Sequence, residues 1–116
     1  MAGFVWKIDR PQKGLAVLAL EGEMSLGARE AMREAFESLV GAGERRSVVD
    51  FTRVRLVSSG AIGELVRCQS KLSAAGRTLL MVCPPGDVLE TLMVADMHRL
   101  IPHHTELSSI SKGLDS

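Results

Sequence analysis

Apolar runs of strand length alternate with amphipathic helical segments along this chain of 116 residues. A short continuous apolar run is typical of a buried strand, whereas apolar residues that recur every three or four positions are typical of a helix packed on one side. Strands that alternate with helices predict a mostly parallel sheet covered by helices, because parallel strands need crossover connections. The alternation contains no repeat or linker, so residues 1–116 are predicted to form one α/β domain.

The first third of the chain predicts a hairpin followed by a helix. The runs "FVWKI" and "LAVLALEG" are separated by the turn-forming "DRPQKG", which predicts two antiparallel strands over residues 4–9 and 14–21. Helical spacing follows, with Ser25 as the expected N-cap and Gly41 or Gly43 as the expected stop. The apolar positions of this helix are Ala28, Ala31, Met32, Ala35, Phe36, Leu39 and Val40.

The middle of the chain predicts a strand, a loop and a helix. The run "RSVVDF" is typical of a short buried strand, and helical spacing begins after the Ser-Ser-Gly at residues 58–60. The helix is expected to end at Gly76, which lies where a left-handed C-cap belongs. The residues that keep its helical spacing are Ile62, Leu65, Val66, Gln69 and Leu72.

The last part of the chain predicts two more strand–helix units. The run "TLLMVC" has strand length, and Asp87 is the expected N-cap of the helix that follows. The segment "RLIP" is short enough to be the last strand, and Thr105 is the expected cap of a closing helix. The predicted order is therefore β-β-α-β-α-β-α-β-α, with a mixed, mostly parallel sheet of four to five strands and about four helices.

The charge balance argues against a general binder of nucleic acid. Lys plus Arg and Asp plus Glu each number 14, whereas affinity for a phosphate backbone needs a surplus of cations. No segment approaches the roughly 20 apolar residues of a membrane span, and "MAGFVWKIDR" has no secretory apolar run. Cys68 and Cys83 lack a metal-ligand spacing, so a cytoplasmic chain with free thiols is expected.

Catalytic signatures are missing around the paired serines. The segment "VSSGAIG" has no glycine two residues before either serine, so it does not form a nucleophile elbow. The three histidines all come late in the chain, and none belongs to a cluster with metal-ligand spacing. The chain is expected to be a non-enzyme without metal or cofactor, and a serine-dependent enzyme is the remote alternative.

Ser58 and Ser59 stand at the predicted start of a helix, where one of them is expected to be the N-cap. Gly60 and Gly63 follow, and each costs about 1 kcal/mol relative to alanine within a helix. Close approach of another surface would explain that cost, as would tight packing of the helix on its own sheet. A phosphate on Ser58 would add about −1.5 to −2 charge, which a helix N-terminus tolerates better than a docked partner does.

The segment "SVVDFTRVRLVSSGAIGELVRCQSKLSAAGRTLLMVC" resembles the central block of STAS domains, which occur in sulfate transporters and anti-sigma factor antagonists. Asp50 matches the aspartate that ends the family's strand, and residues 58–60 match its Ser-Ser-Gly. The earlier "LALEGEM" resembles the family's Gly-Glu-Leu-Asp, and "PPGDVLETLMVADMHRLIP" follows its third helix and last strand. Ser25 and Val57 stand where the family has aspartates. The resemblance covers nearly the whole chain.

The resemblance implies a bacterial anti-sigma factor antagonist that regulates transcription by partner switching. In such proteins the unphosphorylated form binds an anti-sigma factor, which is also a serine kinase of the ATPase type, and so releases the sigma factor. That kinase phosphorylates the first serine of the motif, here Ser58, with Ser59 as the alternative, and a phosphatase resets the system. The implied partner-binding residues are Ser25, Val57, Ser58, Ser59, Gly60, Gly63 and Arg67.

The departures at Ser25 and Val57 also fit a constitutive binder. The alternative function is therefore a non-switching STAS interaction subunit of a transporter or of a stress-signalling complex. In either case any ATP would belong to the partner. An exposed edge strand near the N-terminus is expected to leave the chain a monomer or a weak dimer.

Overall fold

The computed structural model describes residues 3–114, with side chains described as far as Ile110. The strands are β1 (Phe4–Gln12), β2 (Leu15–Met24), β3 (Arg46–Val57), β4 (Thr78–Val82) and β5 (His103–His104). The helices are α1 (Arg29–Gly41), α2 (Ser59–Ala74), α3 (Asp87–Val94), α4 (Met97–Leu100) and α5 (Leu107–Leu114). A 3-10 turn, Leu26–Ala28, precedes α1.

The strands lie in the order β1-β2-β3-β4-β5 across one sheet. β1 and β2 form an antiparallel hairpin, and β2 through β5 run parallel to one another. The predicted α/β class, the mixed sheet and the order of the elements are confirmed. The structure adds one short helix, α4, between α3 and β5.

Both faces of the sheet are covered, which explains why the central strands are apolar on both sides. Leu18 and Leu20 of β2 belong to the larger core, which also contains the buried residues of α1, α2, α3 and α4. Leu15 and Val17 of the same strand belong to a smaller core, which Ile110 of α5 covers.

The hairpin strands are longer than the predicted 4–9 and 14–21. β1 continues to Gln12 and β2 to Met24. The register shifts between Asp9 and Gln12, so this segment holds Pro11 within the strand. An edge strand tolerates the proline because a missing N–H there costs no ladder bond.

β3 extends well beyond "RSVVDF". It pairs with β4 only as far as Asp50 and then continues beside β2, so that Val57 pairs with Met24. α3 contacts β3, and Val88 of α3 lines a cavity together with Phe51 and Val54 of this extension. This cover explains how the extension remains a strand without β4. The predicted loop before Ser58 is therefore absent, and β3 leads directly into α2.

Three predicted helix caps are wrong. Ser25 precedes the 3-10 turn, its hydroxyl makes no capping bond, and α1 instead begins after Ala28. Asp87 is the first residue of α3 rather than its cap, because the chain turns at Gly86, which has a positive φ of 151°. α5 begins at Leu107, so Thr105 does not directly precede it.

The predicted last strand is also wrong. Arg99 and Leu100 of "RLIP" close the short helix α4, and the strand forms later, at His103–His104. It forms there because that segment pairs with Met81 and Val82 of β4. A two-residue strand carries no periodicity, so this segment gave no strand signal of its own.

Candidate functional site

Ser58 joins β3 to α2 at the carboxyl edge of the parallel sheet. Its N–H donates to the carbonyl of Met24 at the end of β2, at 3.1 Å. Its hydroxyl oxygen accepts a hydrogen bond from the N–H of Ala61 at 3.2 Å. Ser58 is therefore the N-cap of α2, and the prediction that one of the two serines caps this helix is confirmed.

The two adjacent serines differ in their surroundings. Ser58 is half-buried, and its hydroxyl oxygen already accepts one bond. Ser59 is the first residue of α2 and is exposed. Among the side-chain hydrogen bonds of the described residues, none involves the Ser59 hydroxyl, so only the Ser58 hydroxyl has a structural role.

A side chain at Gly60 or at Gly63 would not meet the sheet. A Cβ atom on Gly60 would lie 3.7 Å from the Ser58 Oγ and 3.9 Å from the Leu26 Cδ2, which is ordinary contact. A Cβ atom on Gly63 would meet nothing within 4 Å. Neither glycine has a positive φ. The alternative that tight packing on the sheet requires these two glycines is therefore wrong.

The structure places Ser25, Val57 and Ser58 where β2 and β3 end, and it places the other predicted partner-binding residues, Ser59, Gly60, Gly63 and Arg67, on α2. Ser25 and Ser58 each follow a residue of the Met24–Val57 pair, and neighbouring strands lie about 4.8 Å apart. Along α2, the exposed residues Ser59, Gly63 and Arg67 are spaced four apart, so they form one stripe on the helix.

Leu26 is a residue of this surface that sequence reasoning missed. Its side chain is 72% exposed and lies beside Gly60. Leu26 falls outside the apolar spacing of α1. In the sequence, only this departure from the spacing indicates that Leu26 does not belong to the core. The surface at the start of α2 therefore combines the exposed Leu26 with the exposed Gly63 and the half-buried Gly60.

The buried side of α2 contains an unexpected acid. Glu64 is only 5% exposed, and its carboxylate lies 3.3 Å from the guanidinium of Arg33 on α1. The buried residues of α2 are Ala61, Glu64, Leu65, Cys68 and Leu72, so the buried face is rotated from the predicted one. The pair ties α2 to α1.

Asp50, which matches the strand aspartate of the resemblance, has a local structural role. Its carboxylate accepts hydrogen bonds from the N–H and the hydroxyl of Thr52, the first at 2.9 Å. These bonds lie where β3 leaves β4 and where its register with β2 shifts. Asp50 thus supports the extension of β3 and does not reach the serines, which lie eight residues further along.

The two cysteines are free and buried. Burial raises the pKa of Cys68 to about 12, although Lys71 acts in the opposite direction. Burial raises the pKa of Cys83 to about 11, and the carboxylate of Asp50 adds to the effect. Because the thiolate is the reactive form, both thiols are expected to be inert at neutral pH.

The histidines of β5 lie far from the serines. His103 donates from its Nε2 to the carbonyl of Cys83 at 2.9 Å. Its neighbour His104 pairs with Val82, which is level with Asp50. Ser58 lies eight residues beyond that level, or about 25 Å along the strand. Neither histidine of β5 can therefore act as a base for Ser58 in this arrangement.

No group of three or more His, Cys, Asp or Glu side chains within residues 3–114 is arranged to hold a metal ion. None of the helices in that range combines the length and the apolar character that crossing a membrane requires.

The chain belongs to the STAS domain family. The family model described as "Mlab, STAS domain" matches residues 10–102, so the resemblance noted in the sequence is confirmed over most of the chain. No curated protein matches the sequence.

Solved structures share this fold at low sequence identity. An anti-sigma factor antagonist from Mycobacterium paratuberculosis superposes with a TM-score of 0.86 at 15% identity, covering 97% of this chain and 95% of the other. The unphosphorylated Bacillus anti-sigma factor antagonist SpoIIAA gives 0.76 at 17%, covering 97% and 98%. A sulfate transporter family protein from Wolinella succinogenes gives 0.62 at 13%, covering 74% and 70%.

Proposed function

We propose that this chain is an anti-sigma factor antagonist that acts by partner switching. In its unphosphorylated form it binds an anti-sigma factor that is also a serine kinase of the ATPase type, and phosphorylation at Ser58 releases it. The observation that carries the proposal concerns Gly60 and Gly63, which follow the N-cap Ser58 in α2 and which packing on the sheet does not require. The likeness in fold to anti-sigma factor antagonists supports this choice of partner.

Gly60 and Gly63 support a docking role because no contact inside the domain requires a glycine at either position. Each glycine costs about 1 kcal/mol of helix stability relative to alanine, and alanine would meet no clash at Gly63. A partner that approaches the backbone of α2 closely would gain contact area that side chains would otherwise block. We name the partner-binding residues predicted from the sequence, together with Leu26, the docking surface.

The position of Ser58 suits a switch that leaves the fold intact. Its Oγ lies 3.2 Å from the backbone nitrogen of Ala61, so a phosphate there would stand at a helix N-terminus, where N–H groups and the helix dipole favour an anion. The added charge of about −1.5 to −2 at pH 7 would be desolvated by a docked partner. Phosphorylation would therefore weaken docking much more than it weakens the domain.

Ser59 is the alternative acceptor within the same proposal. Its exposed hydroxyl is easier for a kinase to reach than that of half-buried Ser58. A phosphate on Ser59 would also lie in the first turn of α2 and within the docking surface. The two serines therefore predict the same release of the partner, and only identification of the modified residue separates them.

A non-switching interaction subunit of a transporter or of a stress-signalling complex is the second candidate. Two observations favour it: apolar Val57 and neutral Ser25 occupy the ends of β3 and β2 where the resemblance implies aspartates, and the fold also matches a sulfate transporter family protein. In that case the docking surface would bind its partner whether or not the cell supplies a kinase.

The proposal is tested by capturing partners from the cytoplasmic fraction of a lysate of the native bacterium. Immobilised wild type and Ser58→Ala are expected to capture an ATPase-type serine kinase, and Ser58→Asp is expected to lose it. Ser70→Asp is the matched control, because Ser70 is exposed on the same helix about 18 Å from Ser58. Equal capture by Ser58→Asp and wild type would remove the switch at Ser58 and favour the non-switching candidate.

Phosphopeptide mapping identifies the acceptor. The captured kinase and ATP are incubated with wild type, Ser58→Ala and Ser59→Ala, and the modified peptide is sequenced. Phosphate on Ser58 in the wild type, lost only in Ser58→Ala, is the expected result. Phosphate on Ser59 would move the switch by one residue, and the absence of phosphate from both would contradict the switching mechanism.

A further inference from the structure

The outer edge of β1 is the longest free strand edge of the described sheet. β1 pairs with β2 on one side, and within residues 3–114 no strand lies on its other side. The opposite edge, β5, is only 2 residues long. An edge strand presents unpaired N–H and C=O groups, which makes it a template for another strand.

One hydrogen bond determines which backbone groups of β1 point outward. The N–H of Glu23 donates to the carbonyl of Gly3, while Phe4 pairs with Gly22 in the antiparallel register. A bond between these two flanking residues makes the pair of Phe4 and Gly22 a non-hydrogen-bonded pair of the ladder. The N–H and C=O of Phe4 therefore point away from β2.

The same alternation continues along the strand. The register is regular from Phe4 to Asp9, so Lys7 and Asp9 bond to β2, whereas Trp6 and Ile8 direct their N–H and C=O outward. The side chain of Arg10 donates to the carbonyl of Ala42 beyond α1, which places it on the α1 side of the sheet, as alternation from Ile8 predicts.

The side chains of this edge carry opposite charges two residues apart. The Lys7 Nζ lies 3.8 Å from the Asp9 Oδ2, and both side chains are more than half exposed, on the side of the sheet away from α1. Trp6 and Ile8 lie on the opposite side and pack partly against the larger core. The edge is therefore charged on one side and apolar on the other.

When two copies of β1 pair antiparallel, only a few registers bring the outward N–H and C=O groups of the two strands opposite each other. A two-fold axis at Lys7 would place two lysines directly opposite each other, which is destabilising. A two-fold axis at Ile8 places Lys7 opposite the second copy's Asp9 twice, and it pairs the outward groups of the two Ile8 residues. An axis at Trp6 also pairs outward groups but leaves Lys7 opposite Val5, without a charge partner.

We propose that a second copy of this chain docks antiparallel along β1 with Ile8 on the two-fold axis. The self-complementary charges of Lys7 and Asp9 select this register. The register shift beyond Asp9, with Pro11 inside it, ends the regular pairing and limits the contact to a few residues. The two-fold axis itself closes the contact as a dimer. Because a few residues of strand bury far less than the roughly 1,600 Å² of a standard interface, the dimer depends on concentration.

The test is a charge-reversal cycle followed by sedimentation equilibrium over a range of concentrations. Lys7→Asp and Asp9→Lys each turn two attractive pairs into two repulsive ones, so each is expected to raise the dimer dissociation constant about tenfold. The double variant Lys7→Asp/Asp9→Lys restores opposite charges and is expected to return the constant to near the wild-type value. Both side chains are exposed, so thermal unfolding of the dilute monomer should be nearly unchanged and serves as the folding control.

Amide hydrogen exchange gives a second readout. The N–H of Ile8 is expected to become protected as concentration rises, whereas the N–H of Lys7, which bonds to β2, is protected at every concentration. A wild-type chain that stays monomeric at the concentration of an NMR sample overturns the proposal. The proposal is also overturned if the dimer dissociation constant does not change in the charge-reversal variants, or if the double variant does not return it to near the wild-type value. In either case the interface of the dimer would lie elsewhere.

Discussion

Gly22, in strand β2 of the hairpin, differs from Gly63, in the first turns of α2, in what its surroundings require. Gly22 has a φ of 102°, and a Cβ atom there would overlap the carbonyl of Gly3 and lie 3.4 Å from the Phe4 Cα. Gly63 has an ordinary helical backbone, and a Cβ atom there would touch nothing within 4 Å. The fold needs the first glycine and is indifferent to a side chain at the second.

This difference separates structural from functional constraint. A glycine that the fold requires is explained once its φ and its neighbours are known. A glycine that lowers helix stability without easing any internal contact calls for an explanation outside the domain. Gly63 and Gly60 are of the second kind, and both lie in the first turns of α2 after the N-cap serine, which is why the docking surface is placed there.

The largest expected effect is at Gly22. Gly22→Ala combines an unfavourable φ with a backbone overlap, so the free energy of unfolding is expected to fall by about 3 kcal/mol. Gly14→Ala is the control, because Gly14 also has a positive φ, 83°, but open space around it, and it should lose only about 1 kcal/mol. Urea denaturation measures both. Equal losses would mean that the overlap at Gly22 relaxes without cost.

The next effect concerns the buried side of α2. Arg33→Ala leaves the carboxylate of Glu64 buried without its partner, and the free energy of unfolding is expected to fall by about 2 kcal/mol. Replacing Glu64 by Gln in the same chain removes the unpaired charge and should recover part of the loss. Partner capture by both variants should match wild type at equal folded concentration. Loss of capture would show that the docking surface extends over this side of the helix.

The N-cap comes third. Ser58→Ala removes the acceptor for the Ala61 N–H and is expected to cost about 1 kcal/mol, whereas Ser58→Asp retains a capping oxygen and should cost little. Ser59→Ala should change stability by less than about 0.5 kcal/mol, because its hydroxyl caps nothing. Chemical denaturation of the three variants checks this order. A destabilised Ser58→Asp would undermine its use as a mimic in partner capture.

Much of the fold could be predicted from the sequence, because the local sequence signals agree with the secondary structure that forms. The order of elements follows from periodicity, and a serine cap follows from the two serines at the start of helical spacing, whereas the choice of Ser58 over Ser59 comes from the structure. The extension of β3 beyond Asp50 could not be anticipated, since it depends on α3 returning to cover residues distant in sequence. Tertiary packing, not propensity, determines that boundary.

The candidate site shows the same limit. Sequence reasoning placed Gly60 and Gly63 on the helix but left open whether the sheet or a partner required them, because spacing does not reveal what lies beside a helix. It also missed the burial of Glu64, whose partner Arg33 is 31 residues away and on another helix. Both questions concern neighbours distant in the chain, and only the folded arrangement answers them.

The last prediction concerns a small gain in stability, and it bears most directly on the comparison between Gly22 and Gly63. Gly63→Ala fills open space in α2, so the free energy of unfolding is expected to rise by about 0.5–1 kcal/mol. The added methyl group should at the same time keep a partner away from the helix backbone and lower its capture. The variant would thus be more stable and bind less, a combination that loss of folding cannot produce.

Gly41→Ala is the matched control for that result. Gly41 is also an exposed helical glycine with open space around it, but it lies at the end of α1 and outside the docking surface. It should gain some stability, less than Gly63→Ala because helix ends fray, and its partner capture should equal that of wild type. If Gly63→Ala captured the partner as well as Gly41→Ala does, the open glycines of α2 would have no docking role, and the contrast with Gly22 would lose its functional meaning.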